Sequence, residues 1–267
     1  AILNCVSNPV CVSTGDELSG KDLTGKKLVG IDLSGMDLTG TILTGADLSN
    51  ATLTGVDLSG KDLTGTILTG ADLSNAILTG VNMSDMDLTG TILTGADLSN
   101  ATLTGVDLSG MDLTGVVLTG VDLSDKDLTG TILAGVDLYY VDLTGTILRG
   151  ATLSGKDLTG TILVDVDLSG MDLTGVVLAG DLSGKDLTGA ILTGADLSST
   201  NLTNAILTNA NLENIILENA KFLDANLSNA NLTNANLRNT LLVDTNLSNA
   251  ILTGADLTNA VLTGAIL

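Results

Sequence analysis

Leucine returns at every fifth residue from Leu18 to Leu178, with Met83 the one exception among 33 positions. The same period runs from Leu182 to Leu267, where Phe222 is the one exception among 18. Most of these leucines are followed by a polar residue, usually Ser or Thr, and then by Gly or Asn. A period of five matches neither the 3.6-residue repeat of a helix nor the two-residue repeat of a long strand. It fits a solenoid with flat-sided coils, in which each pentapeptide makes one side and turns one corner. The leucine, here called the centre, points inward; the Ser or Thr points outward; Gly or Asn stands at the corner, where backbone freedom is needed. The residue two before the centre is the inner slot, and the residue one before it is the outer slot. The frame slips once, where Leu178-Ala179-Gly180 is followed directly by Asp181.

A second period is superposed on the first. Blocks of five pentapeptides repeat every 25 residues through Ile31–Gly105. Within the frame, ADLSN, ADLTN, ANLSN, ANLTN and ANLRN occur as such. With these the chain resembles the pentapeptide-repeat family, from residue 16 to residue 267. The resemblance implies an all-β fold, a right-handed quadrilateral β-helix solenoid with four pentapeptides per coil. The 33 and 18 centres, 51 together, then make about 13 four-sided coils. At the strand spacing of about 4.8 Å such a stack is roughly 60 Å long.

Three segments follow. Residues 1–15 lie outside the repeat and are expected to form a short N-terminal cap over the first coil, since a bare solenoid end exposes unpaired backbone and leucines. This segment holds both cysteines and the only proline, Pro9. Cys5 and Cys11 could close a small disulfide loop, which would imply an oxidising compartment; the alternative is two reduced, partly buried thiols. Residues 16–180 are Asp-rich, with aspartate in 18 of 33 outer slots. Residues 181–267 continue the solenoid with Ala in the inner slot and Asn in the outer one, as at Ala210-Asn211 and Ala230-Asn231. Stacked asparagines can ladder between coils whereas stacked aspartates repel, so the C-terminal part is expected to be the stiffer.

The inner slot should hold a small residue. Instead it holds Lys21, Lys26, Lys61, Lys126, Lys156 and Lys185, six of the eight lysines, and Met36, Met86, Met111 and Met171. An ammonium group in a dry core is costly, so these lysines are expected to reach out at a corner and meet aspartates of adjoining coils. The [KMV]DLTG pentapeptide starts at residues 36, 61, 86 and 111, then at 126, 141, 156 and 171. Spacings of 25 and 15 do not divide by 20, so the exposed Ile42, Ile67, Ile92, Val117, Ile132, Ile147 and Ile162 should wind from face to face. A three-sided coil of 15 residues within Val106–Gly180 would instead align them.

Charge and chemistry narrow the function. Net charge is −21 with no histidine, which argues against binding a phosphate backbone and removes His-based metal sites and Ser-His-Asp or Cys-His catalysis. No catalytic residue, cofactor site or metal site is expected; calcium along aspartate stacks is the weaker alternative to solvated carboxylates. No run of 18 apolar residues would span a membrane, although a peripheral place on a membrane complex remains open. The chain begins at Ala1, as a processed or trimmed sequence would. Tyr139-Tyr140 stands where the repeat expects Ser-Gly and places two aromatics outward, a favoured contact chemistry. Ala265, Ile266 and Leu267 stop mid-repeat, and such an end invites a protein partner or a second copy. The leading expectation is a non-catalytic structural or protein-interaction module, an acidic rod that docks onto a larger assembly. The family resemblance adds a cyanobacterial or thylakoid-lumen, extracytosolic setting. The alternatives are a DNA-mimicking gyrase antagonist and an ice-binding surface protein.

Overall fold

The computed structural model describes residues 18–267. The expected cap and the Cys5–Cys11 pair lie outside the described residues. Two compact units emerge: Ala1–Asp122 with Ile132–Val136, and Leu123–Thr131 with Asp137–Leu267.

Both units are built from the same corner. The carbonyl of each centre from Leu18 to Leu262, except Leu178 at the deletion, accepts a hydrogen bond from the amide three residues on, as in Ala51 to Leu48 at 3.0 Å and Ala230 to Leu227 at 3.1 Å. The third turn residue takes a positive φ, 67° at Gly45 and 56° at Asn50. Positive φ at this position defines a type II turn and explains why Gly and Asn alternate there. Aspartate in the outer slot caps the same corner. Asp97 Oδ1 accepts the Ser99 amide at 2.9 Å and the Ser99 hydroxyl at 2.5 Å. The Asp-Leu-Ser/Thr triplet is thus an Asx turn, in which a side chain stands in for a backbone acceptor.

Coils stack through parallel one-residue bridges. In the first unit Asp22 pairs with Ile42, Asp47 with Ile67, Asp72 with Ile92 and Asp112 with Ile132. In the second, Asp127 pairs with Ile147, Asp142 with Ile162 and Asn211 with Asn231. Each step is 20 residues, so the coil is four-sided. The three-sided alternative for Val106–Gly180 is therefore wrong. The corners at Leu143, Leu148, Leu153 and Leu158 close with the same turn bond as elsewhere, so the chain bends equally there whatever the spacing of its motifs. Each outward Ile or Val in these pairs stacks on an aspartate, as the winding pattern requires.

The core is two side chains deep per coil side. Centres are buried from Leu18 to Leu247, and Phe222 is fully enclosed. Inner slots carrying Ala, Val or Ile are buried with them up to Leu247, except the half-buried Val141. Most buried threonines in this slot satisfy their hydroxyls one coil back, as Thr66 does on the Leu43 carbonyl at 2.9 Å and Thr245 on Phe222 at 2.7 Å, while Thr240 donates to Leu237 of its own turn at 2.7 Å. The exceptional inner slots divide. Met171 is buried, while Met36, Met86, Met111 and the lysines from Lys26 onward are half-buried.

Two irregularities matter. At the deletion the spacing drops to 19, with Asp172 on Ile191 and Val177 on Asp196, and returns to 20 at Asp181 on Asn201. Gly180 absorbs the missing residue at φ 151°, a region closed to side chains, and still accepts the Asn201 amide at 2.9 Å. Within the first unit, the ladder is also interrupted at sides 36–40, 61–65, 86–90 and 106–110. Asp37, Asp62, Asp87 and Asp107 form no bridge among the described residues. Side 31–35, by contrast, is joined to side 51–55 by Leu33 to Thr52 and Thr52 to Ile31 bonds, both 2.8 Å. Three of the interrupted sides carry Met36, Lys61 and Met86 in the inner slot and the fourth carries Val106, whereas the sides of Lys21, Lys26 and Met111 do bridge. A long inner side chain alone therefore does not set the break.

Candidate interaction surface

An Asp-rich surface could be a binding field or merely a set of turn caps. The hydrogen bonds favour the second reading. The Ser74 hydroxyl and then its amide hold the Asp72 carboxyl below its usual pKa, with Thr54 adding a weaker bond. The same causes in the same order act on Asp97 through Ser99 and Thr79. From Asn201 on, Asn replaces Asp in several outer slots, and the Asn231 side-chain amide reaches Asn211 Oδ1 at 3.2 Å, the expected ladder contact.

The lysines of the inner slot from Lys26 onward are half-buried, and at Lys61 the close contact is a carbonyl and not the expected carboxylate. Lys61 Nζ lies 3.5 Å from the Thr41 carbonyl one coil back. It also adds, behind the hydrogen bonds from Ser59 and Thr39, to the lowered pKa of Asp57 and Asp37. Lys156 is pushed down by burial and drawn back up by Asp137 of the preceding coil.

Tyr139 and Tyr140 occupy a corner of the second unit. Their rings meet edge to face, centroids 4.2 Å apart at 74°, the favoured arrangement for an aromatic pair. The Tyr139 amide donates to Asp137 Oδ1 at 2.9 Å, and the Tyr140 amide donates to the Thr159 carbonyl at 3.2 Å. Tyr140 is 68% exposed yet sits at φ 56°, a left-handed conformation that costs a bulky residue about 1–2 kcal/mol. Its ring lies across Gly160 of the next coil, where a Cβ would overlap it. Gly160 is therefore required twice, by its own φ of 72° and by the ring above it. A hydrogen bond with Tyr140, then the Tyr140 charge, raises the Tyr139 hydroxyl pKa, with Asp157 acting in the same direction. The sequence singled out the two tyrosines; the Gly160 seat becomes readable only once the 20-residue coil is known.

The other predicted contact residues, Ala265, Ile266 and Leu267, form the last described side. Ile266 bridges Asn246 and is 57% exposed, and Leu267 is 79% exposed. They share no contact with the tyrosine pair in the described bonds.

Comparisons with known proteins agree on the repeat. No curated protein matches the sequence. Among solved structures, the chain is similar to HetL, a pentapeptide repeat protein involved in heterocyst differentiation regulation in the cyanobacterium Nostoc sp. strain PCC 7120. The two are 35% identical over 81% of this chain and 90% of that one, with a TM-score of 0.36. Rfr23 of the cyanobacterium Cyanothece 51142 is 42% identical over 34% of this chain and 63% of its own, with a TM-score of 0.33. A pentapeptide repeat protein of the Arabidopsis thaliana thylakoid lumen is 31% identical over 46% and 69%, with a TM-score of 0.19. The model of pentapeptide repeats matches in successive segments from residues 17–55 to 240–267. The chain thus belongs to the pentapeptide-repeat family, whose members are generally structural or interaction modules.

Proposed function

We propose that this protein is a non-catalytic docking module, an acidic β-helical platform that holds a partner protein at the Tyr139–Tyr140 corner. The tyrosine pair carries this reading. Two of the three aromatic residues in the chain stand side by side on the surface. One is kept in a strained conformation that a Ser-Gly corner would avoid. Strain retained at an exposed site points to a role other than stability. The rings are also fixed in advance, by each other and by the Gly160 seat, and a preorganised contact loses less freedom on binding. The tyrosines lie among Asp137, Asp142 and Asp157, so the partner surface is basic, with Arg or Lys to face both rings and carboxylates. Among the described residues no helix is long and apolar enough to cross a membrane, and a place on a larger assembly would be peripheral. The thylakoid-lumen setting of one relative makes a lumenal or cyanobacterial assembly the first place to look.

The test is the native size of the protein in a gentle extract of its source, beside a Tyr139→Ser/Tyr140→Gly variant that restores the ordinary corner. The expected result is co-migration of the wild type with a large complex and release of the variant at its own mass. Wild type migrating alone at one or two chain masses overturns the reading. So does a variant that stays bound.

A further inference from the structure

The interrupted ladder of the first unit ends in a groove. A cavity of about 570 Å³ opens beside sides 86–90 and 106–110, lined by Met86 and Met111 and by Asp85, Asp87, Asp107 and Asp112. Among the described residues these two sides share no backbone hydrogen bond, and the amides of Leu88 and Gly90 have no backbone acceptor.

The chain itself shows what such a place accommodates. Two blocks of 25 residues earlier, the slot equivalent to Met111 holds Lys61. There the amine lies 3.5 Å from the Thr41 carbonyl and close enough to Asp37 and Asp57 to act on both. Moving each residue on by 50 gives Thr91, Asp87 and Asp107 around Met111. Thr91, Asp87 and Asp107 all line the groove. The Thr91 carbonyl accepts no backbone hydrogen bond among the described residues. The surroundings of Lys61 are thus reproduced around a side chain that has its apolar stem and lacks its ammonium.

We propose that this groove receives a lysine side chain from a partner polypeptide. The ammonium takes the place between Asp87, Asp107 and the Thr91 carbonyl, and the methylenes lie along the Met86 and Met111 thioethers. Methionine suits this task, being flexible and polarisable. A polypeptide fits better than a free amine because the open Leu88 and Gly90 amides can meet backbone carbonyls flanking the lysine. The groove is in a different unit from the tyrosine pair, so the two sites stand or fall separately.

The five methionines provide the assay. In protein carrying ¹³C-methyl methionine, acetyl-Gly-Lys-Gly-amide is titrated at constant ionic strength, beside the norleucine peptide and spermidine. Saturable shifts are expected at Met86 and Met111 with the lysine peptide alone, while the buried Met83 and Met171 stay still. Asp107→Asn should weaken binding about fivefold, the scale of an exposed charge contact. Met111→Lys, a residue the fold already carries in this slot at Lys61, should abolish saturation by filling the place from within. Tyr139→Ser/Tyr140→Gly should leave the titration unchanged. The proposal is overturned by absent or non-saturating shifts, by an equal response at Met36, or by binding that survives Met111→Lys. Tighter binding of spermidine than of the peptide would assign the groove to free polyamines and overturn it too.

Discussion

Replacing Gly160 with alanine separates the two demands made on that residue. Gly155 supplies the reference, since it has nearly the same φ, 70° against 72°, and no atom within 4 Å of where a Cβ would stand. Gly155→Ala therefore meets only the left-handed backbone cost, about 1–2 kcal/mol. Gly160→Ala meets that cost and also evicts the Tyr140 ring, which lies where the Cβ would go. Tyr140 is mostly exposed, so its ring can swing away, and what is lost is its seat and its edge-to-face contact with Tyr139. Such an aromatic contact is worth about 0.5–1.5 kcal/mol, so Gly160→Ala should exceed Gly155→Ala by about 1 kcal/mol. In a Tyr140→Gly background the excess should vanish, leaving a coupling of the same size in the double-mutant cycle. Urea unfolding gives the global values. Because long repeat arrays need not unfold as one unit, native-state hydrogen exchange at the residue-140 amide, which donates to Thr159, gives the local one. Equal losses for both glycines, or an excess that persists without Tyr140, would refute the seated ring and with it the preorganised contact.

Other consequences follow from the same geometry. Gly180→Ala should cost about 2 kcal/mol, because φ of 151° is open only to glycine, and hydrogen exchange should rise at Asn201, whose amide it holds; an unchanged melt would mean the deletion is absorbed elsewhere. Asn231→Asp removes the amide that reaches Asn211 and should cost about 1 kcal/mol, read by urea unfolding. Leu98, fully buried, should tolerate aspartate least, with Leu98→Asp costing about 4 kcal/mol or more; unchanged cooperative melting would refute the repeat frame. Stability should also depend on pH in a stated direction. The folded-state pKa of Asp72 and Asp97 is lowered by their serine hydroxyls and amides, below an unfolded value of about 3.9. The unfolded chain then binds more protons, so this contribution is complete above pH about 4 and is lost as pH falls through the folded values. Thermal melts from pH 5 to pH 2 at high salt, where general charge repulsion is screened, should show the loss below pH about 4.

Much of this molecule is readable from its sequence because the hydrophobic period is itself the geometry. A leucine at every fifth position fixes which side chains face inward, and burial from Leu18 to Leu247 follows that frame. Motif spacing was a poorer guide. The 15-residue step through Val106–Gly180 suggested a different coil, yet the corner turn, set by Leu-x-Gly/Asn chemistry, is the same at every corner of that stretch before the deletion at Gly180. What stayed hidden depends on relations between residues 20 apart. Tyr140 over Gly160, or Met111 and Thr91 lining one groove, becomes visible only after the coil length is known. The interrupted ladder had no signal in the inner slot: Lys and Met occupy that slot of bridged sides, as at Lys21 and Met111, as well as of unbridged ones.

The regularity that makes the fold legible also restricts where function can reside. A consensus pentapeptide presents the same Asp-Leu-Ser/Thr corner on every face, with its carboxylate already occupied by the turn. Such a surface offers a partner no preferred place to bind. Specific recognition must therefore use departures from consensus, and a solenoid tolerates them well because each coil depends mainly on its neighbours. The left-handed Tyr140 costs about 1–2 kcal/mol at one corner and leaves the turn bonds of adjacent corners intact. The exchange of Lys61 for Met111 is of the same kind: the frame, the carboxylates and the carbonyl persist, and only the ammonium is given up. A stack of nearly identical coils thereby acquires a few distinct addresses without altering the core that holds it together.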